Sequence, residues 1–193
     1  MHTKEKLMKS AFQIFAKKGP EFSLSEVAKE VGIKKASIYA HFKSKDDLLH
    51  SVIEREIEEY FFKMNGEIQK LSDNEEIVEK ALEKSFSIIL DYYDSSDKIY
   101  FWKRVFLLPP EGFEVELMDK INYLTNQRFY IIKNIILKGM KDGIIKSAPV
   151  DSVVLAFFSA IHGMLSSVAI YNEEDLLSNY KGIWEIYWRG IRN

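Results

Sequence analysis

Residues 22–49 read FSLSEVAKEVGIKKASIYAHFKSKDDLL, and this stretch decides the fold. Ser23-Leu24-Ser25-Glu26 is a capping box: the Ser23 hydroxyl can accept from the Glu26 amide while the Glu26 carboxylate reaches back to the Ser23 amide. A short helix therefore starts here, with Val27, Ala28 and Val31 facing inward. Gly32 ends it, because the turn needs a residue that tolerates positive φ. Ile33 is apolar directly after the turn, and another short helix is predicted from Lys34 to Phe42. Two short helices crossing closely need a small residue at the contact, which Ala28 supplies, and apolar anchors, which Val27, Val31, Ile33 and Ile38 supply. These are the requirements of a helix-turn-helix. Ser44-Lys45-Asp46-Asp47 is a second capping-box-like start, with Asp47 in the place of Glu, and opens a long helix to about Leu71.

Outward from this stretch the pattern stays helical. Leu7, Ala11, Ile14 and Phe15 recur at helical spacing, and the helix they define stops at Gly19-Pro20. Asn74-Glu75-Glu76-Ile77 starts a helix that reaches Tyr93, and Asp94 to Asp97 is a polar turn. A shorter helix carries Tyr100 to Leu107, and Pro109-Pro110 forces a break. A long helix runs from near Glu114 to Lys141 and ends at Asp142-Gly143. Pro149 sits in the first turn of the next, which ends near Tyr171, and Asn172-Glu173-Glu174-Asp175 starts the last. The expectation is an all-α chain of about nine helices: a three-helix head joined by a long helix to a helical body. The division falls at residues 1–47 and 48–193.

Composition narrows the function. The 193 residues include no Cys, which excludes disulfides, thiolate metal sites and cysteine nucleophiles. Only 9 Gly and 4 Pro are present, too few for a turn-dense β-sandwich. The net charge of −2 hides a split: residues 1–50 carry 10 Lys against 6 acidic residues, +4, and the remainder carries 17 basic against 23 acidic, −6. A basic head on an acidic body suggests two tasks in one chain. The N-terminus is charged and amphipathic, unlike a signal peptide. The apolar stretch Val153 to Ile170 is broken by Ser159, His162, Gly163, Ser166 and Ser167, so it reads as a buried helix. A cytoplasmic location without membrane contact is expected. No HExxH, GxSxG, P-loop or GxGxxG occurs and no carboxylate pair sits in an apolar setting, so neither an enzyme nor a metal or cofactor site is expected.

The outer face of the second short helix carries Lys35, Ser37, Tyr39 and His41, side chains long enough to reach phosphates and base edges in a major groove. Simpler readings exist: Tyr39 packs on the first helix, Lys34 and Lys35 form a solvated face, and His41 stands free. The stretch from Ser23 to Leu49, above all Ser37 to Lys45, resembles the DNA-binding head of the TetR family of transcriptional repressors. The length and all-helical layout agree with that family. Lys34, where the family often has a small capping residue, and Ala36, a frequent Gly position, depart from it. The resemblance implies DNA contacts by Lys34, Lys35, Ala36, Ser37, Tyr39 and His41. It also implies phosphate contacts by Lys45 and by Thr3 or Lys4, with Ile38 and Phe42 in the core. It further implies a homodimer on a palindromic operator in double-stranded DNA, and a small-molecule effector held in the body.

The body agrees in outline. Leu176, Tyr180, Ile183, Trp184, Tyr187, Trp188 and Ile191 form one broad apolar stripe on the last helix. Ser159, Gly163, Ser166 and Ser167 allow close approach on the helix before it. Together they would form a four-helix bundle with their symmetry mates. The interface candidates are Ser159, Gly163, Ser166, Tyr180, Trp184, Tyr187 and Trp188, and the other reading is a monomer core. Pocket candidates are Phe86, Tyr93, Phe101, Trp102, Phe106, Tyr123, Phe129 and Phe157, with Tyr100 and Tyr130. Such aromatics imply a hydrophobic effector. His162 reads as a hydrogen-bonded core or interface residue. Lys103 and Arg104 would meet an anionic ligand or form a solvated face. Two other functions stay open at this stage: a regulator controlled by a protein partner, or an all-α scaffold or enzyme with an incidental helix-turn-helix.

Overall fold

The computed structural model describes residues 3–73, 77–107, 115–171 and 179–193. Among these, nine helices form and no strand: α1 (Thr3–Lys18), α2 (Leu24–Val31), α3 (Lys35–Ile38), α4, α5 (Val78–Asp91), α6 (Ser96–Leu107), α7 (Val115–Lys141), α8 (Val150–Tyr171) and α9 (Tyr180–Ile191). Helix α4 runs Lys45–Ile57, passes through a π-helical turn at Glu58–Lys63, and continues Met64–Asp73. The expected Pro109-Pro110 break, the Asn74 and Asn172 helix starts, the Glu114 start and Leu176 lie outside the described residues. The single β pairing among the described residues is an isolated bridge between Ile145 and Arg192. The chain divides into two compact units, Met1–Glu59 with Asp97–Met118, and Tyr60–Ser96 with Asp119–Asn193.

In the first unit α1 packs against α2 and α4. Leu7, Ala11 and Phe15 of α1, Val27 of α2, Ile38 of α3 and Leu48 and Val52 of α4 are sealed from solvent. Ile14 and Val31, expected inside, are half-buried, and Phe12 takes an inner position instead. Phe101 of α6 lies 4.7 Å from Phe12 and 5.5 Å from Phe15, ring centroid to ring centroid. Each large apolar side chain so buried stabilises the fold by about 2 kcal/mol.

The turn after α1 is held from α6. Arg104 donates Nε to the Ala16 carbonyl at 2.9 Å and Nη2 to the Lys17 carbonyl at 2.8 Å, satisfying acceptors that a helix end leaves open. Arg104, half-buried, is thus engaged with the end of α1. Gly19 reverses the chain at φ +73°, and a Cβ there would stand 2.9 Å from Arg104 Nη1.

Three local features differ from the sequence pattern. Regular helix in α3 covers only Lys35–Ile38, because the amides of His41 and Phe42 both return to the Ile38 carbonyl, at 2.8 and 3.0 Å. Helix α6 begins at Ser96, inside the expected polar turn. The α4 cap is wider than a capping box: Ser44 Oγ accepts from the Asp47 amide at 3.0 Å, while the short Asp47 carboxylate takes the Lys43 amide at 2.7 Å.

In the second unit α5, α8 and α9 pack together. Phe86 meets Phe157 edge-on at 5.5 Å and Trp184 at 5.9 Å, and Phe157 meets Tyr187 at 5.7 Å. The segment Val150–Val168 is long and apolar enough to cross a membrane by length and composition. Here Val154, Phe157 and Ile161 of α8 are fully buried within the unit.

Two glycines separate backbone strain from steric conflict. Gly32 also has positive φ, +75°, but an added Cβ would meet nothing within 4 Å. Gly32→Ala is expected to cost about 1–2 kcal/mol, the left-handed backbone cost alone. Gly19→Ala adds displacement of Arg104 and is expected to cost more, read as a larger fall in urea midpoint in parallel denaturation curves.

Candidate nucleic-acid interface and ligand groove

The head presents its contact face through local chemistry. Both halves of the Ser23 capping box form: the Ser23 amide donates to Glu26 Oε2 at 2.9 Å, and the Glu26 amide to Ser23 Oγ at 3.3 Å. Lys18 also pairs with the Glu26 carboxylate, which ties the end of α1 to α2. Gly32 closes α2 with two crossed bonds, Ile33 amide to Ala28 carbonyl at 2.9 Å and Gly32 amide to Lys29 carbonyl at 3.2 Å. The chain then enters α3 through extended Lys34. Ile38 and Phe42 anchor α3 inside, at 0% and 2% exposure. Lys34, Lys35, Ala36, Ser37 and His41 are exposed. Tyr39 is 54% exposed, so it does not pack on α1. Thr3 is exposed at the start of α1, and Lys4 Nζ lies 5.5 Å from the Phe42 ring. Lys45 has an internal role: Nζ donates to the Pro20 carbonyl at 2.7 Å and sits 5.3 Å from the Phe22 ring.

The pocket candidates divide between the units. Phe101 and Trp102 are buried in the first, where Trp102 stacks on exposed Phe106 at 5.3 Å. In the second, Phe86 and Phe157 fill the core with Trp184, and half-buried Phe129 stacks on Phe158 at 6.1 Å. Tyr93 is buried beside Tyr60 at 5.6 Å, and burial first, then Tyr60, pushes its hydroxyl well above 10.0. Tyr123 is 62% exposed and donates nothing inward; it accepts from Gln127 at 2.8 Å.

The interface candidates also sort by face. Trp184, Tyr187 and Trp188 are buried in their own unit, with the Tyr187 hydroxyl donating to the Val153 carbonyl at 3.2 Å. Tyr180 and Ser166 are half-buried, and Ser159 and Gly163 are exposed. The exposed large apolar residues of this region are instead Leu155, Ile170, Tyr171, Ile183 and Ile186. His162 is on the exposed side of α8 with its ring 6.3 Å from Phe158, not in a core. Partial burial, then the charge of Arg128, holds its pKa below the ordinary 6.5.

Sequence reasoning missed Arg128. It lies on the buried stripe of α7 formed by Ile121, Leu124, Ile132 and Ile135, and is itself 4% exposed. A cation at an apolar position of the helical repeat was the available signal. Nε donates to Asn65 Oδ1 at 2.8 Å and Nη2 to the Tyr60 carbonyl at 2.9 Å. Asn65 in turn donates to the Leu124 carbonyl at 3.1 Å. Asn65, Phe62 and Gly66 of α4 and Leu124, Gln127, Tyr130 and Ile131 of α7 line an open groove of about 430 Å³ with no charged side chain in its lining.

Comparisons with known proteins fit this arrangement. Residues 7–52 match the family of bacterial regulatory proteins called tetR. Over 190 residues the chain is 23% identical to the fatty acid metabolism regulator protein of Bacillus subtilis, covering 97% of this chain and 94% of that one. A Bacillus subtilis transcriptional regulator FadR, solved in complex with stearoyl-CoA, shares the fold with a TM-score of 0.69 at 20% identity, covering 97% of this chain and 98% of that one. A Saccharomonospora viridis protein solved in complex with choline aligns with a TM-score of 0.78 at 18% identity, over 98% of this chain and 97% of its own.

The Lys18 and Ser23 contacts lower the Glu26 pKa from 4.5 to about 2, the Lys18 bond being the largest cause. A depressed carboxylate stabilises the fold above its unfolded pKa and loses that contribution as pH falls. Thermal unfolding of the full chain is therefore expected to weaken between pH 4.5 and about 2. Glu26→Gln is expected to flatten that part of the profile, and equal slopes for the two proteins would count against the assignment.

Proposed function

We propose, for a chain whose N-terminal head belongs to the tetR family of bacterial regulatory proteins and whose fold is that of its regulators, that it is a homodimeric repressor released from a palindromic operator by a hydrophobic small molecule. The chain is a DNA-binding transcriptional regulator. The observation that carries the finer reading is the α3 face: Ile38 and Phe42 lock the helix from below while Lys35, Ser37, Tyr39 and His41 stay in solvent. Two such heads would enter successive major grooves, which makes the operator a two-fold site. In this reading residues 1–47 read DNA and residues 48–193 dimerise and hold the effector, in the cytoplasm.

The surface of α8 and α9 supports the dimer. Leu155 is 62% exposed, Ile170 70% and Ile186 71%. Gly163 and Gly182 lie beside them with nothing within 4 Å of an added Cβ, so no close approach inside the protomer requires glycine there. An isologous contact would cover this face and use the small residues. The seam therefore runs along Leu155, Ser159, Gly163 and Ile186, while Trp184, Tyr187 and Trp188 support it from behind.

The effector reading draws on the groove and on the fatty acid metabolism regulator that the chain matches along its length. The chain passes between its compact units at residues 59 and 60, inside the π-helical turn of α4. An effector that binds one α4 arrangement more tightly than another shifts the dimer away from its DNA-competent state; differential affinity is the only requirement.

Selection from random duplex followed by titration at several salt concentrations tests the reading. A palindromic consensus with a steep salt dependence is expected. Tyr39→Ala should weaken binding by about tenfold or more with unchanged thermal stability. Lys45→Ala should lower both, because its ammonium also holds the Pro20 carbonyl. Binding without a salt slope, or surviving both substitutions, would sink the DNA-contact assignment. Leu155→Glu is expected to halve the mass measured by light scattering, and a monomeric parent protein at micromolar concentration would refute the dimer.

A further inference from the structure

The groove between α4 and α7 has three features that point to one kind of ligand. The first is neutrality. In a chain with 29% charged residues, the described residues that line it include no charged side chain. Arg128 is sealed and is not in the lining; Asn65, which holds Arg128 Nε on one side and the Leu124 carbonyl on the other, stands there instead. Lys120 Nζ lies 5.9 Å from the Phe62 ring, outside the lining. The second feature is a set of open hydrogen-bonding atoms. Gln69 and Gln127 each commit one N–H, to Asp73 at 2.7 Å and to the Tyr123 hydroxyl at 2.8 Å, so their carbonyl oxygens stay open. Asn134 and the Tyr130 hydroxyl make no hydrogen bond among the described residues. The third is Gly66. It lies inside α4, where glycine is destabilising relative to alanine, and an added Cβ would meet nothing within 4 Å. No neighbour in the protomer requires a glycine there, and its absent side chain leaves the α4 backbone open to close approach.

These features select a ligand chemistry. A carboxylate, phosphate or ammonium leaving water here would meet no counter-charge in the lining. Phe62 and Tyr130 are 53% and 62% exposed, so their rings are available to stack, and Leu124 and Ile131 add aliphatic surface. Phe62 is carried by the π-helical turn of α4, a geometry frequent at functional sites. A plain hydrocarbon would strip water from the carboxamides without replacing it, whereas hydroxyl and carbonyl groups match atoms that both donate and accept. A volume of about 430 Å³ is that of a small-molecule site. We infer that the groove binds an uncharged planar ring compound bearing hydroxyl or carbonyl groups, its faces against Phe62 and Tyr130 and its polar edge on Gln69, Gln127 and Asn134. The inference rests on the effector-responsive reading above and narrows the hydrophobic effector to a neutral ring class, unlike the stearoyl-CoA and choline of the similar structures.

Calorimetry on the full chain without DNA, in mildly acidic buffer, compares naringenin, flavanone, submicellar palmitate and choline. Naringenin, an uncharged hydroxylated ring compound, is expected to bind. Flavanone, the same rings without hydroxyl groups, should bind about tenfold more weakly. Gly66→Leu should abolish naringenin binding with an unchanged or raised melting temperature, because the new side chain enters the groove while the helix loses a glycine. Asn134→Ala should weaken naringenin a few-fold and leave flavanone unchanged, a split that a purely structural role does not produce. Lys120→Gln should leave naringenin unchanged. The inference is overturned if flavanone matches naringenin, if palmitate or choline binds more tightly, if nothing binds, or if Gly66→Leu holds naringenin undiminished. Release of the operator by naringenin is measured separately: binding without release counts against the effector reading, and the calorimetry alone decides the groove.

Discussion

The head depends on a guanidinium delivered from far along the chain. Arg104, on α6, closes the last carbonyls of α1, and Gly19 leaves it room to do so. The next residue is held too, since the Pro20 carbonyl accepts from Lys45 at the first turn of α4. Both ends of the turn between α1 and α2 are thus fixed by cations on helix carbonyls or beside them, where the helix dipole favours positive charge. With α1 and α4 set, the Ile38 and Phe42 anchors have one place to go, and the exposed face of α3 follows. Phe101, against Phe12 and Phe15, is the apolar half of the same attachment. This is why α6 groups with the N-terminal helices even though some forty residues separate it from the end of the first segment.

The second unit treats its buried arginine differently. Arg104 is partly open to water and meets backbone dipoles that need a donor. Arg128 is sealed and meets an amide, one carbonyl and two rings. Ring faces and neutral oxygens lower the cost of its charge without cancelling it. Burial first, and then its charge, holds the His162 imidazole below its ordinary pKa.

What the sequence revealed and what it hid follow from range. The capping box at Ser23, the Gly32 turn and the Ile38 and Phe42 anchors are local, set within about one helical turn, and all were legible. The position of Asp47 was legible as a cap, but one methylene decides whether it reaches the Ser44 or the Lys43 amide, and spacing cannot resolve that. Arg104, Lys45 and Arg128 act over 25 to 88 residues, where periodicity carries no signal. Pattern alone gave Arg104 only a ligand or solvent role. Helix α9 shows the same limit: its aromatics were assigned to the seam between protomers, yet Trp184 and Tyr187 pack on Phe86 and Phe157, and Trp188 is buried beside Trp184.

That inward turn of the aromatics changes what an outer surface on α8 and α9 has to explain. Large side chains already satisfied inside cannot be the reason for association. What is left outside is mostly aliphatic, Leu155, Ile170, Ile183 and Ile186 with Tyr171, among glycines. Glycine in a helix interior costs up to about 1 kcal/mol relative to alanine. Gly163, Gly182 and Gly190 incur that cost with no neighbour inside the protomer to require it. In the proposed dimer, a surface that is at once apolar and uncrowded would suit a two-fold axis, with each aliphatic tip entering the space above the symmetry-related glycine. The physical case for pairing through this face therefore rests on its small residues together with its aliphatic ones, and neither set makes it alone.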